Sequence, residues 1–296
     1  MKNFLPTMVS VMAARLLLAF MCILIIVTAV SYLERYRPAS TSSETDTVAV
    51  PDPQVWLNLN HPGGSVNSLA IDPRRPTTVY IGTVFGGMAG SDDYSRSWTG
   101  INFRNKYGPL EDVRTIVVDP KSSSTIYTGA MGGLVRSNNR GTTWIVCSGL
   151  GNGIVCLAID PKETKRIYAG TLEKGVFRSD DGGVHWQKMS AGLPGDQIRC
   201  IDIDPKQTSV VFAGTDHGIY RSENRGLSWS ESSGGVFSGE PVSSIVVDPS
   251  NASTVYAGTG DDLSGVGVFR NDSSGSNWIS VSLGLTNLQV NCLALT

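Results

Sequence analysis

The stretch VNSLAIDP, Val66–Pro73, decides the fold, because the chain repeats its pattern four times. VRTIVVDP ends at Pro120, IVCLAIDP at Pro161, IRCIDIDP at Pro205 and VSSIVVDP at Pro249, at spacings of 47, 41, 44 and 44 residues. A second β-rich run follows each copy: TVYIGT from Thr78, TIYTGA from Thr125, RIYAGT from Arg166, VVFAGT from Val210 and TVYAGT from Thr254. A third follows that, as GLVRS, GVFRS, GIYRS and GVFRN, with a weaker GMAGS from Gly87. Each third run leads through a polar turn to a tryptophan: Trp98, Trp144, Trp186, Trp229 and Trp278. Short apolar runs bounded by Gly, Pro, Asn and Asp read as strands. A period in the low forties with four strands per unit predicts an all-β chain, a β-propeller of four-stranded blades.

Five complete repeats run from Val66 to about Leu283, and the chain ends in VNCLALT (Val290–Thr296), a sixth copy of the first run. Trp56, within VWLNL (Val55–Leu59), fits the last strand of a blade. Two readings follow: a ring closed on a thin sixth blade, or a longer propeller of which this sequence is a truncated part. The second is preferred.

Working outward, residues 34–54 are rich in Ser, Thr and Pro and read as a linker. Leu16–Leu33 is eighteen residues without a charge, the length of a membrane-spanning or signal segment. The expected division is a cytoplasmic N-terminus over 1–15, a transmembrane or signal helix over 16–33, the linker, and the propeller over 55–296. Anchored or cleaved, the propeller is extracytoplasmic.

Lys and Arg number 24 against 26 Asp and Glu, a net charge of −2, so no basic footprint for nucleic acid exists. The three histidines, His61, His185 and His217, lie in different repeats without ligand spacing, so no metal is expected, and nothing calls for a cofactor.

The turn Ser179-Asp180-Asp181-Gly182-Gly183-Val184-His185-Trp186 resembles the Asp-box (BNR) motif, S-x-D-x-G-x-x-W. Propellers bearing it include sialidases, xyloglucan-active glycoside hydrolases, sortilin-type receptors and the photosystem II assembly-factor family. The resemblance covers residues 55–296 and implies the fold, with either an enzymatic or a binding role. The boxes themselves read as structural: Ser179, Asp181, Gly183 and Trp186; Asp93 and Trp98; Asn139, Gly141 and Trp144; Asn224, Gly226 and Trp229; Gly275 and Trp278. An Asx-type acceptor closes the turn, glycine supplies the backbone angle and tryptophan packs between blades. Drift of Asp to Asn suits a structural motif better than a catalytic one.

Chemistry must come from residues that break the repeat. In strand one, Asp202 stands where the other repeats carry Ala70, Val117, Ala158, Val246 and Ala294. A carboxylate there costs free energy unless paired, and Arg199 is one expected partner. Loops joining second to third strands supply Glu173, Lys174, Asp216, His217, Asp261 and Asp262. Asp202, Asp216, His217 and Asp262 are the catalytic candidates, while Glu173, Lys174, Asp261, Arg114 and Arg199 are ligand-binding candidates. Arg136, Arg178, Arg221 and Arg270 recur in one third-strand slot and read as structural. A sialidase arginine triad is not assembled, and its Arg-Ile-Pro signature is missing.

The preferred reading is a non-catalytic module that binds a protein or glycan. A glycoside hydrolase of the xyloglucanase type, less readily a sialidase, is the alternative. Hydrolysis requires two acids converging on one cleft. Binding instead requires exposed residues such as Phe85, Phe103, Tyr107 and Phe237 on one face.

Overall fold

The computed structural model describes residues 65–295, apart from 102–103, 106–107, 110–111, 196, 238, 262–264 and 274–276. The candidate membrane segment, the linker and Trp56 lie outside the described residues. No helix among those described is long and apolar enough to cross a membrane.

Five four-stranded antiparallel sheets follow the five repeats. Blade one holds β1 (Val66–Asp72), β2 (Arg75–Thr83), β3 (Met88–Ser91) and β4 (Thr99–Ile101), followed by a small hairpin, β5 (Arg104–Asn105) with β6 (Gly108–Pro109). Blade two holds β7 (Val113–Asp119), β8 (Ser122–Ala130), β9 (Gly133–Ser137) and β10 (Ile145–Cys147). Blade three holds β11 (Ile154–Ile159), β12 (Ile167–Thr171), β13 (Val176–Ser179) and β14 (Gln187–Lys188). Blade four holds β15 (Ile198–Ile203), β16 (Val211–Thr215), β17 (Gly218–Ser222) and β18 (Ser230–Glu231). Blade five holds β19 (Val242–Val247), β20 (Val255–Thr259), β21 (Val268–Asn271) and β22 (Trp278–Ser280). The first strands neighbour one another in the order β1, β7, β11, β15, β19, so each blade packs against the next.

The recurring glycine of the second strand, followed by threonine in four of the five repeats and by Ala130 in the other, explains that packing. A Cβ on Gly82, Gly129, Gly170, Gly214 or Gly258 would come within 3.0 Å of Val113, Ile154, Ile198, Val242 or Val290 respectively, the first apolar residue of the following repeat. Glycine is therefore required by close approach between blades. The threonine after it turns inward: Thr83, Thr171, Thr215 and Thr259 donate Oγ1 hydrogen bonds of 2.9–3.1 Å to carbonyls of the loop that follows. Val290 extends the series, its N–H donating to Thr259 O at 2.9 Å. Val290–Leu295 thus occupies the position of a sixth first strand. Val66, Leu69 and Ile71 in β1 remain half-buried, whereas Val113, Ile154, Ile198 and Val242 are fully buried. Nothing among the described residues covers that face of blade one.

The first four Asp-box turns share one hydrogen-bond plan. The serine Oγ of Ser91, Ser137, Ser179 and Ser222 accepts the N–H four residues on, at 2.8–2.9 Å. Asp93, Asn139, Asp181 and Asn224 accept the next N–H but one through Oδ1, at 2.8–2.9 Å. Asn performs this task as well as Asp, because only Oδ1 is used. The second side-chain atom finds whichever group suits it. Asp93 Oδ2 accepts from Ser97, and Asp181 Oδ2 lies 2.6 Å from His185 Nδ1. The amides of Asn139 and Asn224 donate to Thr143 and Ser228. These bonds hold both aspartates well below the usual carboxylate range, led by Ser97 for Asp93 and by the His185 N–H for Asp181.

Trp229 and Trp278 are buried and reach back one blade, donating from Nε1 to Met189 O and Ser232 O at 2.7 Å. Arg136 and Arg178 reach forward, to Gly182 O at 2.5 Å and Arg225 O at 2.7 Å.

Candidate functional site

The site is built from the loops at the start of the first strands and those joining second to third strands. Backbone bonds knit them into a rim. Val84 N–H donates to Ser65 O, Asp112 N–H to Val84 O, Met131 N–H to Asp112 O, Gly153 N–H to Met131 O and Leu172 N–H to Gly153 O. This relay fixes the loops to one another across three blades, and their side chains project from a stiff base.

On blades one and two the rim carries an aromatic, an apolar group and a guanidinium. Phe85 is 80% exposed and Met131 39% exposed. Between them Asp112, in the left-handed region at φ 54°, accepts 3.0 and 2.7 Å bonds from Arg114 through Oδ2 and one of 2.7 Å from Asn67 through Oδ1. Arg114 is held at a fixed angle by Asp112 yet stays accessible, with its side chain 42% exposed.

On blade four, Arg199 and Asp216 form an ion pair. His217 beside them is exposed, its N–H bonded to Thr215 Oγ1 at 3.0 Å. Glu173 and Lys174 are exposed on blade three. Asp261 is half-buried, and its carbonyl accepts a bond from Gln289. Asp262 lies outside the described residues.

Asp202 lies elsewhere. It sits four residues below Ile198 on β15, about 13 Å along the strand from the rim at ordinary strand rise. It does not pair with Arg199, which is bound to Asp216. Its oxygens accept backbone N–H groups instead, from Ile203 at 2.9 Å and from Val247 of the next blade at 2.8 Å. Desolvation, opposed by those two bonds, raises its pKa to about 6. Asp202 and Asp216 therefore do not share a cleft.

Phe237 is fully buried, contrary to the exposed position read from the sequence. Its ring packs edge-on against Phe269 at 4.7 Å and Trp278 at 5.3 Å. Phe103 and Tyr107 lie outside the described residues. Cys147, Cys156 and Cys200 are free thiols; burial pushes Cys156 up to about 12 and Cys147 to about 11, which makes them poor nucleophiles. No group of three or more His, Cys, Asp or Glu side chains that would hold a metal occurs among the described residues.

The sequence reading missed a second relay at the opposite end of the blades. Arg74 Nη1 donates to Lys121 O, Lys121 Nζ to Lys162 O, Lys162 Nζ to Lys206 O, and Lys206 Nζ to Ser250 O. Each donor stands two residues after the Asp of an Asp-Pro pair, so the signal was present in the recurring Asp-Pro-Lys.

No protein-family profile and no curated protein matches the chain. Solved structures do. An ancestral GH74 enzyme is 23% identical with a TM-score of 0.66, over 77% of this chain and 32% of its own. The GH74 xyloglucanase of Xanthomonas campestris is 22% identical with a TM-score of 0.64, over 74% of this chain and 38% of its own. YCF48 bound to D1 peptide is 15% identical with a TM-score of 0.53, over 80% of this chain and 74% of its own.

The chain has a β-propeller fold. It spans about a third of the length of the GH74 structures it matches.

Proposed function

We propose that this β-propeller is an extracytoplasmic, non-catalytic module that binds a protein or glycan partner through the rim of blades one and two. The observation that carries the reading is the patch of Phe85, Met131 and Arg114 on a backbone rim that is already hydrogen-bonded. An exposed aromatic beside a pre-oriented guanidinium suits the flat face of a sugar ring or an extended peptide. Export rests on the uncharged Leu16–Leu33 segment. A hydrolase reading draws on the GH74 enzymes among similar folds. It is disfavoured because the two described acids it would use lie apart, Asp202 towards the far end of β15 and Asp216 in the rim loop after β16, where it is ion-paired with Arg199.

The test is retention of the purified full-length chain on an array of plant, bacterial and sialylated glycans and of extracellular-matrix proteins. Phe85→Ala is expected to lower retention at least tenfold while leaving the melting temperature unchanged. Retention indifferent to both Phe85→Ala and Arg114→Ala would place the binding face elsewhere.

A further inference from the structure

At the Asp-Pro end of β11, β15 and β19 lies a cavity of about 360 Å³, in the size range of small-ligand sites. Its lining is open and exposes polar and apolar surface in about equal measure; it includes Leu157, Ile159, Ile201, Val246 and Leu295, with Asp202 among them. Four equivalent slots in the described blades hold Ala70, Val117, Ala158 and Val246, so blade four alone brings a carboxylate to this wall. The two backbone N–H bonds fix the carboxyl plane and use one site on each oxygen. A carboxylate offers about four acceptor sites, so room for two further N–H donors remains. Among the described residues no Lys, Arg or His side chain is bonded to Asp202, and the charge that acts on it is that of Asp204, of the same sign. The lysines that follow Pro161 and Pro205 are held on the carbonyls of Lys206 and Ser250 instead.

We propose that this cavity binds a small primary alkylammonium ion, with Asp202 as its counter-charge and the apolar part of the lining beside its short alkyl chain. Charge complementarity selects this class. An anion meets like charge. A neutral alcohol forgoes the charge-assisted bond, which is about twice as strong as a neutral one. A metal ion finds too few donors, since no cluster of three or more ligating side chains exists among the described residues. The site is separate from the rim of blades one and two, and neither depends on the other.

Isothermal titration of the full-length chain with n-butylammonium, n-butanol and n-butyrate tests the assignment. Saturable binding of the ammonium is expected, weakened roughly tenfold or more for the alcohol, for butyrate and in Asp202→Asn, as loss of a hydrogen bond to a charged group implies. A readout without substitution follows the ¹³C resonance of the Asp202 carboxyl in the unaltered protein, whose midpoint should fall when butylammonium is present. Absence of saturable ammonium binding, equal binding of the alcohol, or an unmoved Asp202 midpoint would each overturn the proposal.

Discussion

Lys162 Nζ lies 2.6 Å from the carbonyl oxygen of Lys206, the residue at its own position one blade further on. The same step joins Arg74 to Lys121, Lys121 to Lys162 and Lys206 to Ser250, so a chain of cation-to-carbonyl bonds runs along the base of all five blades. Each acceptor residue is itself fixed, because the Asp-Pro carboxylate of its own blade accepts its N–H at 2.7–2.9 Å. Sequence repetition has thus become a mechanical link between neighbours.

Removing one step should loosen a blade junction slightly. Lys162→Met is expected to lower stability by about 0.5–1 kcal/mol, the net value of one exposed hydrogen bond. Lys162→Met with Lys206→Met should lose about twice that if the steps are independent. Urea unfolding of the single and double variants measures both.

The Gly-Thr of the second strand makes a stronger claim. In Gly170→Ala the new methyl would fall against Cys156 and Ile198, with no flexible side-chain end to yield. A loss of about 1–3 kcal/mol is expected from overpacking. Denaturant unfolding of this variant beside Gly100→Ala, where a Cβ meets nothing, separates crowding from a general glycine effect.

Ser95 occupies the glycine slot of the first Asp-box at φ 64°, while Gly141, Gly183 and Gly226 take 82–87°. A non-glycine residue in that region is strained by about 1–2 kcal/mol. Ser95→Gly should therefore raise stability by about 1 kcal/mol, and Gly183→Ser should lower it. Paired melting curves decide the matter.

Asp202 gives the account a pH dependence. Its carboxyl is raised from 3.8 to about 6 in the folded chain, chiefly by desolvation. Between those values the folded state holds a proton that the unfolded state has released. The contribution of Asp202 to stability is therefore greatest below about pH 4 and is lost as pH rises through about 6, a change of about 2–3 kcal/mol. Asp202→Asn should flatten that slope, at the loss of one of the two N–H bonds, because its amide nitrogen cannot accept from Ile203 or Val247. Unfolding free energies measured from pH 4 to pH 8 test the sign directly.

Much of the architecture was legible because a propeller repeats its physics in every blade. The Asp-Pro, Gly-Thr and Asp-box signals each do a job at a fixed place, so their recurrence located strands and turns together. What was not legible depends on the third dimension. Asp202 found backbone N–H groups for partners, and backbone donors leave no mark in a sequence. Phe85 and Phe237 look alike in composition, yet one tops a rim loop and the other fills the space between blades four and five. Arg199 could be read as the partner of either Asp202 or Asp216 until the fold set Asp216, in the loop after β16, beside it and Asp202 further along β15.

The central claim, binding without hydrolysis, is tested most directly by following sugar release from xyloglucan and sialylated glycans incubated with the full-length chain. The account predicts no release above a protein-free control, with partner retention that Phe85→Ala diminishes. Release that disappears in Asp216→Asn or Asp202→Asn would contradict it and make the protein a glycoside hydrolase.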